Sequence, residues 1–163
     1  VSSRKTNAVR ILERAGVACE LVEYAVDEAD LSAETVAKKI GLPPERVVKT
    51  LLVRGKKVGP FFALVPAGAD LDLKALAKVV GDRAVDPVPL KEVEPLTGYI
   101  RGGVTALGAK RELPVVMEES TLGHETISVS AGMRGLQMLV APQAYANVTR
   151  AKLGAISKVR AEE

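Results

Sequence analysis

Seven consecutive residues, Val47-Val-Lys-Thr-Leu-Leu-Val53, constrain the fold more than any other part of this chain. The run is rich in β-branched and aliphatic side chains at both odd and even positions, which marks a central strand covered on both faces. Pro43 and Pro44 enforce a break before it. After it, the linker Arg54-Gly-Lys-Lys-Val-Gly-Pro60 leads into a second apolar run, Phe61 to Val65, so the two runs form neighbouring strands joined by a basic loop. Lys49 is the anomaly in this pattern. An ammonium placed mid-sheet needs a partner, an open pocket or an anionic substrate, because uncompensated desolvation disfavours its charged form. Either its stem packs while its head snorkels from the sheet edge, or it serves a site, neutralising a phosphate, orienting a carbonyl or stabilising charge on oxygen.

Periodicity places the other elements around this strand. Ala8, Ile11, Leu12 and Ala15 follow helical spacing up to Gly16, and Ala18 to Tyr24 reads as a strand. Ser32 caps a second helix carrying Val36, Ala37 and Ile40 and ended by Gly41; Asp72 caps a third carrying Leu73, Leu76, Ala77 and Val80 and ended by Gly81. Pro87 to Pro95 is expected to form a turn with a short helical piece. Val115 to Met117, Ile127 to Ser130 and Leu136 to Val140 are further strands, and Pro142 opens a last helix expected to carry Tyr145, Val148 and Leu153. The order is neither strict βαβα alternation nor all-helical. It predicts a mixed α/β (α+β) domain over residues 1–163, with one compact, strongly curved mixed sheet surrounded by helices.

Composition removes several functional classes. The 163 residues contain one cysteine, Cys19, and one histidine, His124, so neither an internal disulfide nor a two-histidine metal site can form. No metal and no cofactor are expected. Cys19 reads as an ordinary buried thiol and His124 as part of a polar surface turn, with nucleophile and general base as their alternatives. The Walker, GxGxxG and GxSxG patterns are absent. No apolar run reaches the roughly 18 residues of a membrane span and no basic-then-apolar leader is seen, so a cytoplasmic location without membrane association is the default expectation. Net charge is only +3, yet Arg46, Lys49, Arg54, Lys56 and Lys57 fall in one stretch without an acid. That cluster can attract a few phosphates of an RNA end, although Arg54, Lys56 and Lys57 could equally just solubilise a turn.

Two glycine-bearing segments could complete a site around Lys49. Gly102-Gly-Val-Thr-Ala-Leu-Gly108 can bring backbone donors close to a ligand, and Thr105 adds a hydroxyl. Ser130-Ala-Gly-Met-Arg-Gly-Leu-Gln137 offers Ser130 and Gln137 for polar recognition and Arg134 for a phosphate or carboxylate. Each could also be a tight turn alone.

Four phrases in order, Val47–Val53, Leu71-Asp-Leu-Lys-Ala-Leu-Ala-Lys78, Thr97–Gly108 and Val129–Leu136, give the chain a resemblance to the YbaK/ProX superfamily of aminoacyl-tRNA editing domains, especially its Cys-tRNA(Pro) deacylase branch. The resemblance spans nearly the whole chain. It implies that Lys49 is the key functional lysine, with Tyr24 and Thr50 at matching substrate positions. Gly102 opens a GxxxP-like element whose final proline is Ala106 here, and Gln137 stands where the cysteine-specific branch has an aspartate. The implied reaction removes a wrongly attached amino acid from a tRNA 3′ end, the substrate's own thiol attacking its ester while the protein stabilises the oxyanion. On this reading Lys49 and the backbone of Gly102, Gly103 and Gly132 are catalytic. Tyr24, Thr50, Val104, Thr105, Ala106, Ser130, Arg134, Gly135 and Gln137 bind substrate, and Arg54, Lys56 and Lys57 hold the acceptor stem. The implied partners are the mischarged tRNA acceptor end and, as a candidate, prolyl-tRNA synthetase; no feature sets an oligomeric state. A water-using deacylase of Ala-tRNA(Pro) or another small mischarged product, a non-catalytic tRNA-end or synthetase-associated module, and a general nucleotide-binding protein are the alternatives.

Overall fold

The structure, a computed structural model, describes residues 5–160. Its helices begin where the capping residues lie. Thr6 accepts a hydrogen bond from the Val9 amide at the head of α1 (Asn7–Arg14), Ser32 from Thr35 at α2 (Ala33–Ile40), and Asp72 from Ala75 at α3 (Leu73–Val80). Gly41 ends α2 in the left-handed region, at φ 73°, where a β-carbon would be strained. The segment expected as a turn with a helical piece is the full helix α4 (Leu90–Thr97), and α5 runs from Pro142 to Thr149.

The strands are β1 (Cys19–Glu23), β2 (Val48–Gly55), β3 (Gly59–Pro66), β4 (Ala69–Leu71), β5 (Val85–Pro87), β6 (Val115–Glu118), β7 (Ile127–Ser130), β8 (Leu136–Val140), β9 (Lys152–Gly154) and β10 (Ser157–Val159). Leu153, assigned from sequence to the last helix, lies in β9 instead. Thr149 and the left-handed Arg150, at φ 56°, end α5 first, and the chain then pairs in parallel with β6.

The mixed α/β class holds, but a single strongly curved sheet does not form. The strands make an open five-stranded sheet in the order β5-β2-β3-β6-β9, a three-stranded sheet β1-β8-β7, and the pair β10-β4. The break has a local cause. β2 pairs with β3 along its whole length but forms no ladder with β7, the one bridge between these segments among the described residues being the isolated parallel bridge from Val47, just before β2, to Ser128. Beyond that bridge the strands part instead of extending one curved, hydrogen-bonded surface.

Alternation along β2 and β3 sends two sets of side chains to two cores. Val48, Leu52, Phe62 and Leu64 join Val129, Leu136, Met138 and the fully buried Tyr145. Val53, Phe61, Ala63 and Val65 pack with Leu76 and Ala77 of α3. Both faces of the central strand are therefore covered, as its composition predicts, and the fork between β2 and β7 is where the covering stops.

Candidate active site

A cavity of about 570 Å³ occupies this fork. Its geometry follows from β2. The Val47 carbonyl accepts from Ala67, so in the antiparallel ladder the odd residues of β2 turn their backbone groups toward β3 and the even ones turn away. On the far side β5 pairs only with Val53–Gly55, and the Val88 amide reaches the Leu52 carbonyl. The N–H and C=O of Thr50 consequently lie on an uncovered stretch of strand edge that lines the cavity. Lys49 and Leu51 flank this edge on the α3 face, and Thr50 and Leu52 on the other.

Lys49 is half-buried and lines the cavity. Burial pushes its pKa down; Glu34 opposes this, Arg160 adds to it, and Asp70 opposes it. No carboxylate lies within salt-bridge distance of Lys49 among the described residues. Next to it, the Thr50 hydroxyl is shielded from solvent and has no hydrogen-bond partner among the described residues. A buried hydroxyl without a partner is destabilising, so Thr50 carries a stability cost at the cavity wall.

Ser130 and Gln137 are cross-strand partners in β7 and β8 and both line the cavity. The Ser128 hydroxyl donates to Gln137 Oε1 at 2.9 Å. Holding that oxygen leaves the Gln137 amide nitrogen as the end that can serve a ligand, so this wall offers a donor where a carboxylate would offer an acceptor.

The two glycine segments do meet. The Arg134 guanidinium donates through Nε to the Arg101 carbonyl at 2.8 Å, and a β-carbon on Gly103 would come within 3.0–3.1 Å of the Met133 and Arg134 backbone. Gly103 is thus explained by loop-on-loop packing. Its amide donates to the Ile100 carbonyl, and the Gly132 amide donates to the Ser130 hydroxyl, so two of the three expected oxyanion donors already have acceptors. Gly102 and Val104 line the cavity; Gly103 and Gly132 do not.

Other residues singled out from sequence lie around this centre rather than in it. Thr105 is fully buried, 3.4 Å from the Tyr145 phenol, whose pKa is pushed up to about 12 by burial, partly offset by hydrogen bonds from Thr105 and the Ala106 amide. Ala106 keeps the backbone N–H that a proline would lack. Tyr24, Arg134 and Gly135 sit beside the cavity without lining it; the Tyr24 amide donates to the Gly135 carbonyl. Arg46 is held by Thr126 and Arg54 pairs with Glu92 at 2.9 Å, which leaves Lys56 and Lys57 exposed at the β2–β3 turn. Cys19 and His124 lie outside the cavity lining, and burial, followed by Glu13, pushes the Cys19 thiol up, toward its unreactive protonated form.

Sequence reasoning missed Glu34, Arg101 and Arg160, which all line the cavity. Each resembles an ordinary surface charge in sequence. For Glu34 alone there was a local signal: the Asp30-Leu-Ser32 cap orients the first turn of α2, with Asp30 bonded to Thr35 and Ser32 and its pKa lowered to about 2 by those hydrogen bonds.

Comparison with known proteins agrees with this architecture. EbsC of Enterococcus faecalis (strain ATCC 700802 / V583), provisionally named a Cys-tRNA(Pro)/Cys-tRNA(Cys) deacylase, is 40% identical over 156 residues, covering 96% of this chain and 95% of EbsC. A solved structure provisionally described as a trans-editing enzyme for prolyl tRNA synthetase superposes with a TM-score of 0.82 at 25% identity, covering 97% of this chain and 99% of that one. The structure of the hypothetical protein APE2540 has a TM-score of 0.85 at 20% identity over 94% of this chain and 100% of its own, a likeness of fold. Residues 27–148, which contain Lys49, Thr50, both glycine segments and Gln137, match the aminoacyl-tRNA editing domain model. With a relative aligned almost end to end and the fork and its loops inside the matched region, the chain belongs to the aminoacyl-tRNA editing domain family.

Proposed function

We propose that the protein is a trans-acting aminoacyl-tRNA deacylase whose preferred substrate is Cys-tRNA(Pro). The observation that carries this reading is the pairing, in one cavity, of a half-buried lysine and a solvent-shielded threonine hydroxyl, the first without a carboxylate within salt-bridge distance and the second without a hydrogen-bond partner among the described residues. The cavity volume is in the range that takes a small molecule, here the aminoacylated terminal nucleoside of an RNA. Family membership and the likeness to EbsC and to the prolyl trans-editing structure support the substrate class.

No Ser-His-Asp or Cys-His set lines the cavity, which suits a reaction whose nucleophile comes with the substrate. The cysteine thiol, ordinary pKa about 8.5, loses its proton and attacks its own ester carbonyl. A C–S bond forms, negative charge collects on the carbonyl oxygen, and the C–O bond breaks to release the ribose oxygen, which takes up a proton. Lys49 neutralises charge at the ester and terminal phosphate. The Thr50 edge amide and Gly102 are the backbone groups available to the oxyanion, since the Gly103 and Gly132 amides are engaged. One well-aimed donor is worth about 3 kcal/mol.

The test is a deacylation panel of Cys, Ser, Ala and Pro on one tRNA. Cysteine is released and serine, alanine and proline are retained, and Lys49→Ala lowers kcat/KM about 100-fold or more. An unchanged rate in folded Lys49→Ala overturns the lysine's role. The Gln137 amide donor, in place of a carboxylate, favours a second reading in which a water molecule clears Ala-tRNA(Pro) or another small product. Release of alanine at a rate matching cysteine selects that reading.

A further inference from the structure

Three charged side chains from distant parts of the chain meet beside Lys49, and the chemistry above leaves them without a task. Glu34, in the first turn of α2, accepts the Gly68 amide on Oε1 at 3.2 Å and faces Arg160 Nη1 with Oε2 at 3.4 Å. The same guanidinium donates through Nε to Asp70 Oδ1, on β4, at 3.1 Å. One arginine therefore holds two carboxylates. Glu34 and Arg160 line the cavity with Lys49, and among the described residues Glu34, Arg160 and Asp70 are the charges that act on the Lys49 ammonium. Arg101, after α4, is the other charged side chain in the lining among the described residues.

The placement of Arg160 is built, not incidental. The buried Glu118 carboxylate accepts the Ile156 amide and the Ser157 amide and hydroxyl, each at 2.8–2.9 Å. β10 then pairs with β4, setting Lys158 opposite Asp70, and delivers Arg160 two residues later. β10 and Arg160 lie beyond residue 148, where the match to the family model ends, whereas Glu34, Asp70 and Glu118 lie within it. Two unpaired carboxylates next to a half-buried ammonium would attract it and hold it away from a substrate anion.

We propose that Arg160 is a positioning residue that acts through Glu34 and Asp70: by occupying both carboxylates it keeps the Lys49 ammonium available to an anionic group of the substrate. The role rests on the reading that Lys49 meets the substrate. It is distinct from direct phosphate binding by Arg160 and from mere anchoring of the C-terminal strand, and the three make different predictions.

The experiment uses the full chain with two readouts: kcat/KM for deacylation of Cys-tRNA(Pro), and the rate at which Lys49 is acetylated by acetic anhydride, followed by mass spectrometry across pH. Arg160→Ala is expected to lower kcat/KM about tenfold and to raise the apparent pKa of Lys49 by about one unit, slowing its acetylation about tenfold at fixed pH. Adding Glu34→Gln and Asp70→Asn to Arg160→Ala should return both readouts to within about threefold of the parent, which neither a lost phosphate contact nor a lost anchor would do. With Arg160 intact, Glu34→Gln/Asp70→Asn should accelerate acetylation, a check that holds even if Arg160→Ala loosens the strand. The proposal is overturned if Arg160→Ala leaves Lys49 acetylation unchanged, or if the triple variant, with an unaltered melting temperature, recovers neither readout. Failure of the parent protein to deacylate any substrate would overturn the functional reading alone, because acetylation reports on the lysine without turnover.

Discussion

At the scale of single residues, Thr50 separates stability from function. Its hydroxyl gives up water on folding and gains no partner, so Thr50→Val, close in shape but without the oxygen, should stabilise the free protein by about 1–2 kcal/mol. The same change should lower kcat/KM roughly tenfold if the hydroxyl bonds the bound ester or amine. Calorimetry of the free protein and deacylation kinetics check the two halves; a loss of stability with unchanged kinetics would make Thr50 a packing residue. Lys49 was legible in the sequence because an ammonium inside a β-branched run has few places to go. Thr50 was legible only through the family resemblance, since a threonine suits any strand. Arg160 could not be found from sequence, and the cap before α2 marks the place of Glu34 but not its role, because that role depends on a meeting between residues 126 positions apart.

At the scale of elements, the C-terminal strands depend on one carboxylate. Burial alone would raise the Glu118 pKa, but hydrogen bonds from Ser120, Ser157 and Ile156 outweigh it and hold the value below the usual glutamate range. A depressed folded pKa gives stabilisation that is present above the unfolded value of about 4.3 and is lost as pH falls through the folded value. Amide protection at residues 156–159, corrected for intrinsic exchange, should therefore fall as pH is lowered below about 4. Glu118→Gln should show low protection already at pH 6 and little further change on acidification. Protection in that variant equal to the parent's at pH 6 would mean that pairing with β4 alone holds β10. Helices with caps and strands of four or more residues were readable from the sequence. β4, β5, β9 and β10 were not, since three residues cannot display a period, and each is set by its partner strand instead. Leu153 shows the consequence: its spacing from Tyr145 and Val148 fits a helix, yet the turn at Arg150 ends α5 and parallel pairing with β6 decides the outcome.

At the scale of the whole molecule, the parting of β2 from β7 opens the cavity, and the proposed function predicts that an RNA end enters there. The sequence called for one strongly curved sheet, but curvature requires continuous hydrogen bonding, and the single Val47–Ser128 bridge ends that continuity where the cavity begins. From Lys49 the strand runs to the turn bearing Lys56 and Lys57, a distance of roughly 25 Å at the usual rise per strand residue. A tRNA with its 3′ end in the cavity can lay its acceptor stem along this line, its phosphates reaching the two lysines, while Arg54 is occupied by Glu92. Replacing Lys56 and Lys57 together by alanine should then raise KM for whole tRNA and reduce the salt dependence of binding by about one to two ion equivalents. The rate on a short aminoacylated oligonucleotide, which ends before the turn, should not change. That contrast separates stem contact from action in the cavity: equal losses on both substrates would place the effect at Lys49, and no loss on either would send the stem across another face, with Arg101 at the cavity's edge as the next cation to follow.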